Sequence, residues 1–524
     1  MLIQQFARLV PTSVLASNLN MKKSFFVLGV AALALATSCV SNLGDDYNVN
    51  PKLAASASAS GFITNAERTL VRTVVSPNVN LNPLRFYMQY WAATDYPTES
   101  RYDLITRNIP LNYWNALYRD CITDLRAAKA AVATDISIPD ANKNNTSAVA
   151  ELLEIYAWAN LVEVFGNVPY TQALDATNLQ PKYDDQATIY ADLVTRLDAV
   201  ITKFDVSKEI GTGENDLIFP QTGGSTTAQW LKFANAMKLR MALVLADADP
   251  AKAKAMAEAT VGKLPTSSAD AVQLAFDRTL PNTNPLYEDL VNSRRVDFVG
   301  ANTFINPLKG IAGTAAGVPT TGAVDPRLDD YFNQPTSPSV PAGTYEGGVV
   351  GTINDKEALS LPGDKLRAQT LPGVLISYAQ IELMLAEAVE RGFAVGGTAV
   401  SHYNAGVTAS IQEWGGTTSE ANAYLALPTI AYTTAAGTYK QKIGYQYWVA
   451  LYNQPTESWT QWRRLDYPQL PLATNPLNGI TVIPRRFTYP ASEQSLNSAN
   501  YTAASAALGG TGDNVATKLF WDKF

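Results

Sequence analysis

The sequence predicts a mainly α fold in which tetratricopeptide-like helical hairpins carry one long irregular region. Three observations support this prediction. Apolar residues recur at helical spacing through most of residues 60–260. In the C-terminal third, a helix, a short glycine turn and a second helix follow one another within about 40 residues, as in helical-hairpin repeats. Between these blocks, residues 262–373 are rich in Gly, Pro, Thr and Asn, and their hydrophobic runs are short.

Three strong helices are predicted in the first block. Residues 148–165 form a helix that ends at Gly166, a common C-terminal residue, with Pro169 shortly after it. In residues 188–204 apolar side chains recur every four positions, which places them on one face. Residues 229–246 form the third helix. Because each helix has an apolar stripe, each must pack against a neighbour.

The second block is a predicted helical hairpin of residues 373–391 and 398–414. Its first helix ends at Gly392, and Gly396 and Gly397 turn the chain into the second helix. The apolar residues of the second helix recur at steps of three and four. No repeated consensus accompanies the hairpin, so it resembles a tetratricopeptide repeat in shape alone.

The composition argues against several classes of function. The chain has 40 Lys and Arg against 47 Asp and Glu, whereas a nucleic-acid binder needs a basic surplus. One His and two Cys exclude a His-rich or thiolate metal centre, although the abundant Asp and Asn leave a calcium site open. We therefore predict no cofactor. Aromatic residues make up 10% of the chain, which favours recognition by stacking and hydrogen bonding.

The N-terminal region predicts export and a lipid anchor. A basic segment begins at Met21, and the apolar run at 25–36 is shorter than the ~20 residues of a membrane-spanning helix. Small residues then lead into Cys39, which resembles the lipobox of bacterial lipoproteins. We expect residues 1–38 to be a signal peptide, Met21 to be the true start and Cys39 to be lipidated. An ordinary signal peptide with a nearby cysteine is the alternative.

Five stretches resemble, in the same order, those of one protein family. They are FGNVPYTQA at 165–173, WLKFANAMKLR at 230–240, LAEAVERG at 385–392, WRRLDYP at 462–468 and PRRFTYP at 484–490. Together with the lipobox they span essentially the whole mature chain. The chain is thus similar to the SusD/RagB family of nutrient-binding outer-membrane lipoproteins, and specifically to its SusD-like branch. Asn167 stands where the family more often has Asp.

The resemblance implies a SusD-like helical fold with few short strands and an irregular ligand-binding face. Such proteins sit at the cell surface as lids on SusC-like TonB-dependent transporters in the outer membrane. They deliver oligosaccharides or, in some members, peptides, and they are not enzymes. The expected segments are a signal peptide at 1–38, a lipidated tether at 39–60, a helical-hairpin scaffold at 61–261, an irregular ligand-facing region at 262–373, and a C-terminal hairpin with a SusD-like tail at 374–524.

Two regions combine aromatic rings with hydrogen-bonding groups, the chemistry that recognises sugars. Residues 87–102 contain four Tyr, one Trp, two acids and an Arg, and residues 284–298 contain further aromatic and Arg side chains. Aromatic core packing is the alternative for the first region. A Gly-rich loop adds a weaker candidate. The candidate ligand-binding residues are Trp91, Tyr96, Arg101, Tyr102, Tyr287, Arg294, Phe298 and Tyr345.

The arginines of the matched stretches have two interpretations. Arg391 and the pairs at 463–464 and 485–486 either bind a charged ligand or hold the fold together. In the second case they pair with Glu387, Asp466 or Glu493, or bind helix-end carbonyls. We favour this structural interpretation. The single His402, within a predicted helix, is expected to be packed or solvated.

Three other functions remain open from the sequence. A secreted glycoside hydrolase needs two carboxylates, and the many acids do not forbid such a pair. However, no βα alternation typical of a barrel is present. A helical adaptor would bind another protein, and a peptide-binding member of the same family would share every motif.

Overall fold

The computed structural model describes residues 58–219 and 225–524. The predicted signal peptide, Cys39 and most of the predicted tether lie outside these residues. Within them the fold is mainly α with a few short strands, which confirms the predicted fold class. In the part of the chain described, no helix is both long and apolar enough to cross a bilayer.

The longer helices pack in sequence-adjacent pairs. Among the described residues they are α1 (Ala59–Val75), α2 (Ile109–Leu117), α3 (Thr123–Val132), α4 (Asp140–Phe165), α5 (Gln186–Lys203), α6 (Thr227–Leu245), α7 (Pro250–Glu258), α8 (Tyr378–Glu390), α9 (Ala399–Glu413), α10 (Thr418–Leu425), α11 (Tyr439–Ala450), α12 (Pro455–Leu465) and α13 (Ser498–Ala507). Helix α3 contacts α4, α4 contacts α5, and α6 contacts α7. In the C-terminal part, α8 contacts both α9 and α11, and α11 contacts α12.

Shorter elements lie mostly in the irregular segments. The short helical segments are Leu84–Tyr87, Glu99–Arg101, Tyr118–Ile122, Gly213–Asn215, Ser268–Asp270, Pro285–Tyr287, Glu288–Asn292, Asn302–Leu308, Leu328–Tyr331, Asp364–Arg367 and Glu493–Leu496. The strands are β1 (Trp91–Ala93), β2 (Val168–Pro169), β3 (Tyr183–Asp184), β4 (Val272–Leu274), β5 (Phe298–Gly300) and β6 (Gly373–Ile376). They form three two-stranded antiparallel sheets, β1–β5, β2–β3 and β4–β6.

The predicted helices are present, with some shifted boundaries. Helix α4 begins earlier than expected and ends before Gly166, whose positive φ of 85° suits a residue without Cβ. Helix α6 begins after a capping box, in which Thr226 and Gln229 each bond to the other's backbone N–H. Helix α9 begins after Thr398, which is its N-cap.

The prediction of one helix over residues 373–391 is wrong at its start. Residues Gly373–Ile376 form β6, which is buried throughout and pairs with β4. The helix begins only after Ser377, whose hydroxyl accepts a hydrogen bond from the Gln380 backbone N–H at 3.1 Å. A short apolar run is compatible with either a buried strand or a buried helix, and here the Ser N-cap separates the two.

Buried arginines join the helices of the matched stretches. Arg240 of α6 donates to both carboxylate oxygens of Glu163 in α4, at 2.8 and 2.6 Å, and to Glu457 of α12 at 2.7 Å. Arg464 of α12 and Arg391 both bind Glu387 of α8. These contacts confirm the structural interpretation of Arg391 and Arg464.

The remaining paired arginines hold backbone carbonyls and the C-terminal tail. Arg463 donates to the carbonyl of Glu163 at 2.7 Å, and Arg486 donates to the carbonyl of Phe165 at 2.9 Å. Arg485 pairs with Asp466 and Asp522. The predicted partner Glu493 instead accepts a hydrogen bond from the Tyr183 hydroxyl at 2.8 Å.

Cys121 and His402 both make contacts within the fold. The Cys121 thiol is free and buried, and burial raises its pKa far above the usual range. The His402 ring lies 2.7 Å from Glu382. Within the described residues, no group of three or more His, Cys, Asp or Glu is placed to hold a metal ion.

Replacing Glu387 by alanine tests the buried network. The change leaves the fully buried Arg464 without its carboxylate, and it leaves Arg391 paired with Asp247 alone. We expect the free energy of unfolding in urea to fall by about 3–5 kcal/mol. The control is Arg119→Ala, which removes a solvent-exposed pair with Asp120 and is expected to cost about 0–1 kcal/mol. Equal losses in the two variants would contradict the stabilising role of the network.

Candidate ligand-binding site

The pairing of β1 with β5 brings the two predicted regions together. Trp91 lies opposite Gly300, and Ala93 lies opposite Phe298. The loop after β1 and the segment before β5 therefore meet at one end of this small sheet. There they line a cavity of about 270 Å³, together with residues 77–80, Phe86 and Arg107. We call this cavity the first lobe.

One aromatic ring of the first lobe faces solvent and others form its apolar wall. Tyr96 is 63% exposed and has a positive φ of 51°, which is uncommon for a residue with a side chain. The Arg295 guanidinium lies over its ring, 5.8 Å from the centroid. Phe298 packs against Phe86 with ring centroids 5.7 Å apart. The lobe thus offers a solvent-exposed aromatic ring with a guanidinium over one of its faces.

The two arginines of the first lobe are already paired with carboxylates. Arg295 binds Asp297 through two hydrogen bonds of 2.7 and 2.9 Å. Arg107 pairs with the buried Glu99 and donates to the Asn80 side chain at 3.2 Å. These ion pairs hold the two guanidinium groups in fixed positions and leave their other N–H groups available to a ligand.

Asp289 differs from the paired acids of the lobe. It is half-buried, and within the described residues its carboxylate accepts no hydrogen bond from another group. Burial raises its pKa to about 6, and the neighbouring Glu288 and Asp297 carboxylates add to the shift, whereas Arg72 and Arg85 oppose it. The cavity therefore contains a carboxyl group that is free to bond a ligand hydroxyl as acceptor or, when protonated, as donor.

Three candidates from residues 87–102 do not face the cavity. The Trp91 ring is 1% exposed and packs behind Phe298, with centroids 4.9 Å apart. Tyr102 is also buried, and its hydroxyl accepts a hydrogen bond from the Ala473 backbone N–H at 2.9 Å. Arg101 donates to the carbonyl of Asn475 at 2.5 Å. These three side chains support the loop that carries Tyr96.

The other candidates lie around the cavity or apart from it. Tyr287 ends a short helix beside Asp289 and is half-buried, and Arg294 is exposed with a positive φ of 60°. Neither lines the first lobe. Tyr345 belongs to the loop that pairs with Ala301 at Gly348, next to β5. Of the eight candidates, the structure places Tyr96 and Phe298 in the wall of the cavity.

The prediction from sequence missed several lining residues. Asn78, Asn80, Phe86, Arg107 and Asp289 all contribute to the cavity. The run at 76–82, with three Asn and one Pro, was a usable signal, because it indicates a loop and binding residues often lie on loops. Arg107 and Asp289 carry no local pattern, since they reach the cavity only through the folding of distant segments.

Comparisons with known proteins agree with this architecture. A family model for SusD-like proteins, described as starch-binding and associating with the outer membrane, matches residues 51–490. A solved chitin-binding protein has a TM-score of 0.74 and 25% identity, covering 89% of this chain and 100% of its own. Curated proteins give no match.

Two further solved structures have the same fold. A chitin-binding SusD homolog from Flavobacterium johnsoniae has a TM-score of 0.71 and 22% identity, over 88% of this chain and 98% of its own. A SusD homolog from Parabacteroides distasonis ATCC 8503 has a TM-score of 0.73 and 23% identity, over 89% of this chain and 98% of its own.

The raised pKa of Asp289 predicts a pH-dependent stability. Because the folded state holds this proton more tightly than the unfolded state, stability should fall as pH rises from about 4 to about 6 and then level off. Asp289→Asn has no carboxyl group to titrate at this position, so the variant should not lose stability over this pH range. We expect thermal unfolding to show the variant matching the wild type near pH 4 and exceeding it, by up to about 2 kcal/mol, above pH 6. A difference that stays constant with pH would contradict the assignment.

Proposed function

This chain belongs to the SusD-like family of starch-binding proteins associated with the outer membrane, and on that premise we propose that it captures an oligosaccharide at the cell surface. It then delivers this ligand to a SusC-like TonB-dependent transporter. The observation that carries the proposal is the first lobe, where the exposed Tyr96 ring lies beside Arg295 and the open carboxyl of Asp289.

The chemistry of the first lobe fits a sugar. A pyranose has apolar C–H faces that stack on an aromatic ring, and its hydroxyls need both donors and acceptors around the rim. Tyr96 supplies the ring, Asp289 and Asp95 supply carboxylate oxygens, and Arg107 supplies N–H donors. A single aromatic face bordered by polar groups serves a carbohydrate better than an apolar peptide side chain.

The solved relatives suggest which glycans to test first. A chitin-binding protein is similar to this chain at 25% identity, and the family description names starch. Chitin and starch oligosaccharides are therefore the first ligands to test. Peptides should be tested next, because a peptide-binding member of the same family is the alternative. Binding of peptides without glycans would overturn the oligosaccharide part of the proposal.

We propose attachment through Cys39 and delivery without catalysis. Acylation of Cys39 would hold the protein at the outer membrane, since more than one acyl chain gives stable anchoring. In the first lobe, two of the four carboxylates are tied to arginines, and Asp95 and Asp289 remain as the pair that a hydrolase would need. Release of reducing ends from a bound oligosaccharide would favour the hydrolase alternative; we expect none.

Tyr96→Ala is the sharpest test of the binding site. Because the ring is 63% exposed, its removal should leave the fold intact while deleting the stacking surface. We expect calorimetry to show about tenfold weaker binding of the preferred oligosaccharide, or about 1.4 kcal/mol. Arg295→Ala should weaken binding as well, because it removes the guanidinium above the same ring.

Two further variants test where on the protein the oligosaccharide binds. Ile136→Ala changes a fully exposed apolar residue that lines no cavity described here, so it should bind like the wild type. Tyr345→Ala tests the candidate outside the first lobe. Loss of binding in Tyr345→Ala with full binding in Tyr96→Ala would place the ligand elsewhere and contradict the assignment.

The lipid anchor has its own test. We expect Cys39→Ala to shift the protein from the membrane fraction to the soluble fraction and to end co-purification with a large β-barrel partner. Cys121→Ala is the matched control, because that thiol is buried in the core and cannot be acylated in the folded protein. Membrane retention of Cys39→Ala would contradict lipidation at this position.

A further inference from the structure

A second cavity adjoins the first lobe. It has a volume of about 240 Å³ and is lined by one face of α1, including Arg68, Thr69 and Arg72, and by Pro285 and Leu81. Asn78 and Asp289 line both cavities. We call this cavity the second lobe, and the two shared residues form the border between the lobes.

The volumes indicate that the two lobes work together. Ligand cavities in proteins usually measure ~300–1,000 Å³. The first lobe, at about 270 Å³, and the second, at about 240 Å³, each fall below this range, whereas their combined volume falls within it. Asn78 and Asp289 line both lobes, so a ligand that fills only one lobe would contact these border residues from one side alone.

The border carries hydrogen-bonding groups that the protein does not use. The Asn78 side-chain oxygen accepts a hydrogen bond from the Asn80 backbone N–H at 2.9 Å, but within the described residues its amide nitrogen donates to nothing. The Asp289 carboxylate also accepts no hydrogen bond from them. The border thus offers a ligand chain that crosses from one lobe to the other both a donor and an acceptor.

The second lobe offers one arginine that no carboxylate engages. Arg72 is occupied, because it binds both oxygens of Glu288 at 3.1 and 2.6 Å. Arg68 instead donates a single hydrogen bond, to the carbonyl of Pro281 at 2.9 Å. Its other N–H groups remain for a ligand, and Thr69 adds a half-buried hydroxyl on the same wall.

We propose that the two lobes form one groove for an extended oligosaccharide, with its chain crossing between Asn78 and Asp289. One sugar stacks on Tyr96 in the first lobe, and sugars further along the chain receive hydrogen bonds from Arg68 in the second. This inference rests on the proposed glycan-binding function and adds to it a ligand longer than a disaccharide.

Binding measured against chain length tests the groove. The probes are chitin and starch oligosaccharides from disaccharide to hexasaccharide, titrated into the full-length protein by calorimetry. For the series that binds, we expect the wild-type affinity to rise by about tenfold or more with length. Arg68→Ala should abolish this rise and leave disaccharide binding unchanged, whereas Tyr96→Ala should weaken both short and long ligands.

Controls separate a lost contact from a damaged fold. Arg68→Lys keeps the charge but loses the fork, so it should recover only part of the rise. Arg119→Ala removes an exposed arginine that lines neither lobe, and it should retain the full length dependence. Thermal unfolding of each variant checks that the fold is retained.

Different outcomes would contradict the groove and the proposed glycan-binding function. Affinity that does not depend on chain length, or a rise that Arg68→Ala leaves intact, would overturn the groove while leaving glycan capture standing. Equal weakening of short and long ligands by Arg68→Ala would also overturn it, since Arg68 would then act within the first lobe. Absence of binding by every oligosaccharide would overturn the proposed function itself.

Discussion

Arginines buried with carboxylates connect helices from the two ends of the chain, and the rest of the structure depends on this network. Arg240 joins α4, α6 and α12, and Glu387 joins α8 to α12 through Arg464. Each ion is costly to desolvate, so the pairs stabilise the fold only while every partner is present. This requirement fixes how the helices lie against one another, because a shift of any helix would leave a charge unpaired in the core.

The network positions the loops of the candidate ligand-binding site although its own residues do not line the first lobe. Helix α11 packs against α12, and its Trp448 donates a hydrogen bond to the carbonyl of Met88 at 2.8 Å, just before β1. The Tyr90 hydroxyl lies 2.5 Å from the carbonyl of Trp448. Strand β1 is therefore held on the C-terminal helices, and β5 is positioned by pairing with it. A rigid scaffold with irregular loops at one edge is a common way to build a binding site.

The residues of the candidate site differ from those of the buried network in how their charged groups are paired. In the core each of the three guanidinium nitrogens of Arg240 donates a hydrogen bond to a carboxylate. Around the two cavities, by contrast, Arg68, Asn78 and Asp289 retain groups that no described residue engages. Unused hydrogen-bonding capacity is tolerable there because water replaces the missing partner until a ligand arrives. Aromatic side chains divide in the same way, with Trp91 supporting the loop and Tyr96 facing outward.

The sequence by itself determined the helical class, the positions of five of the longer helices and the structural role of the paired arginines, because periodicity and capping residues are local signals. It also identified the two segments that meet at the cavity. Only the tertiary structure decided which of their rings are exposed, since Trp91 and Tyr96 look alike in an aromatic run and differ in what packs over them. Arg107 and Asp289 joined the site through contacts between segments far apart in sequence, and such contacts leave no pattern in either segment alone.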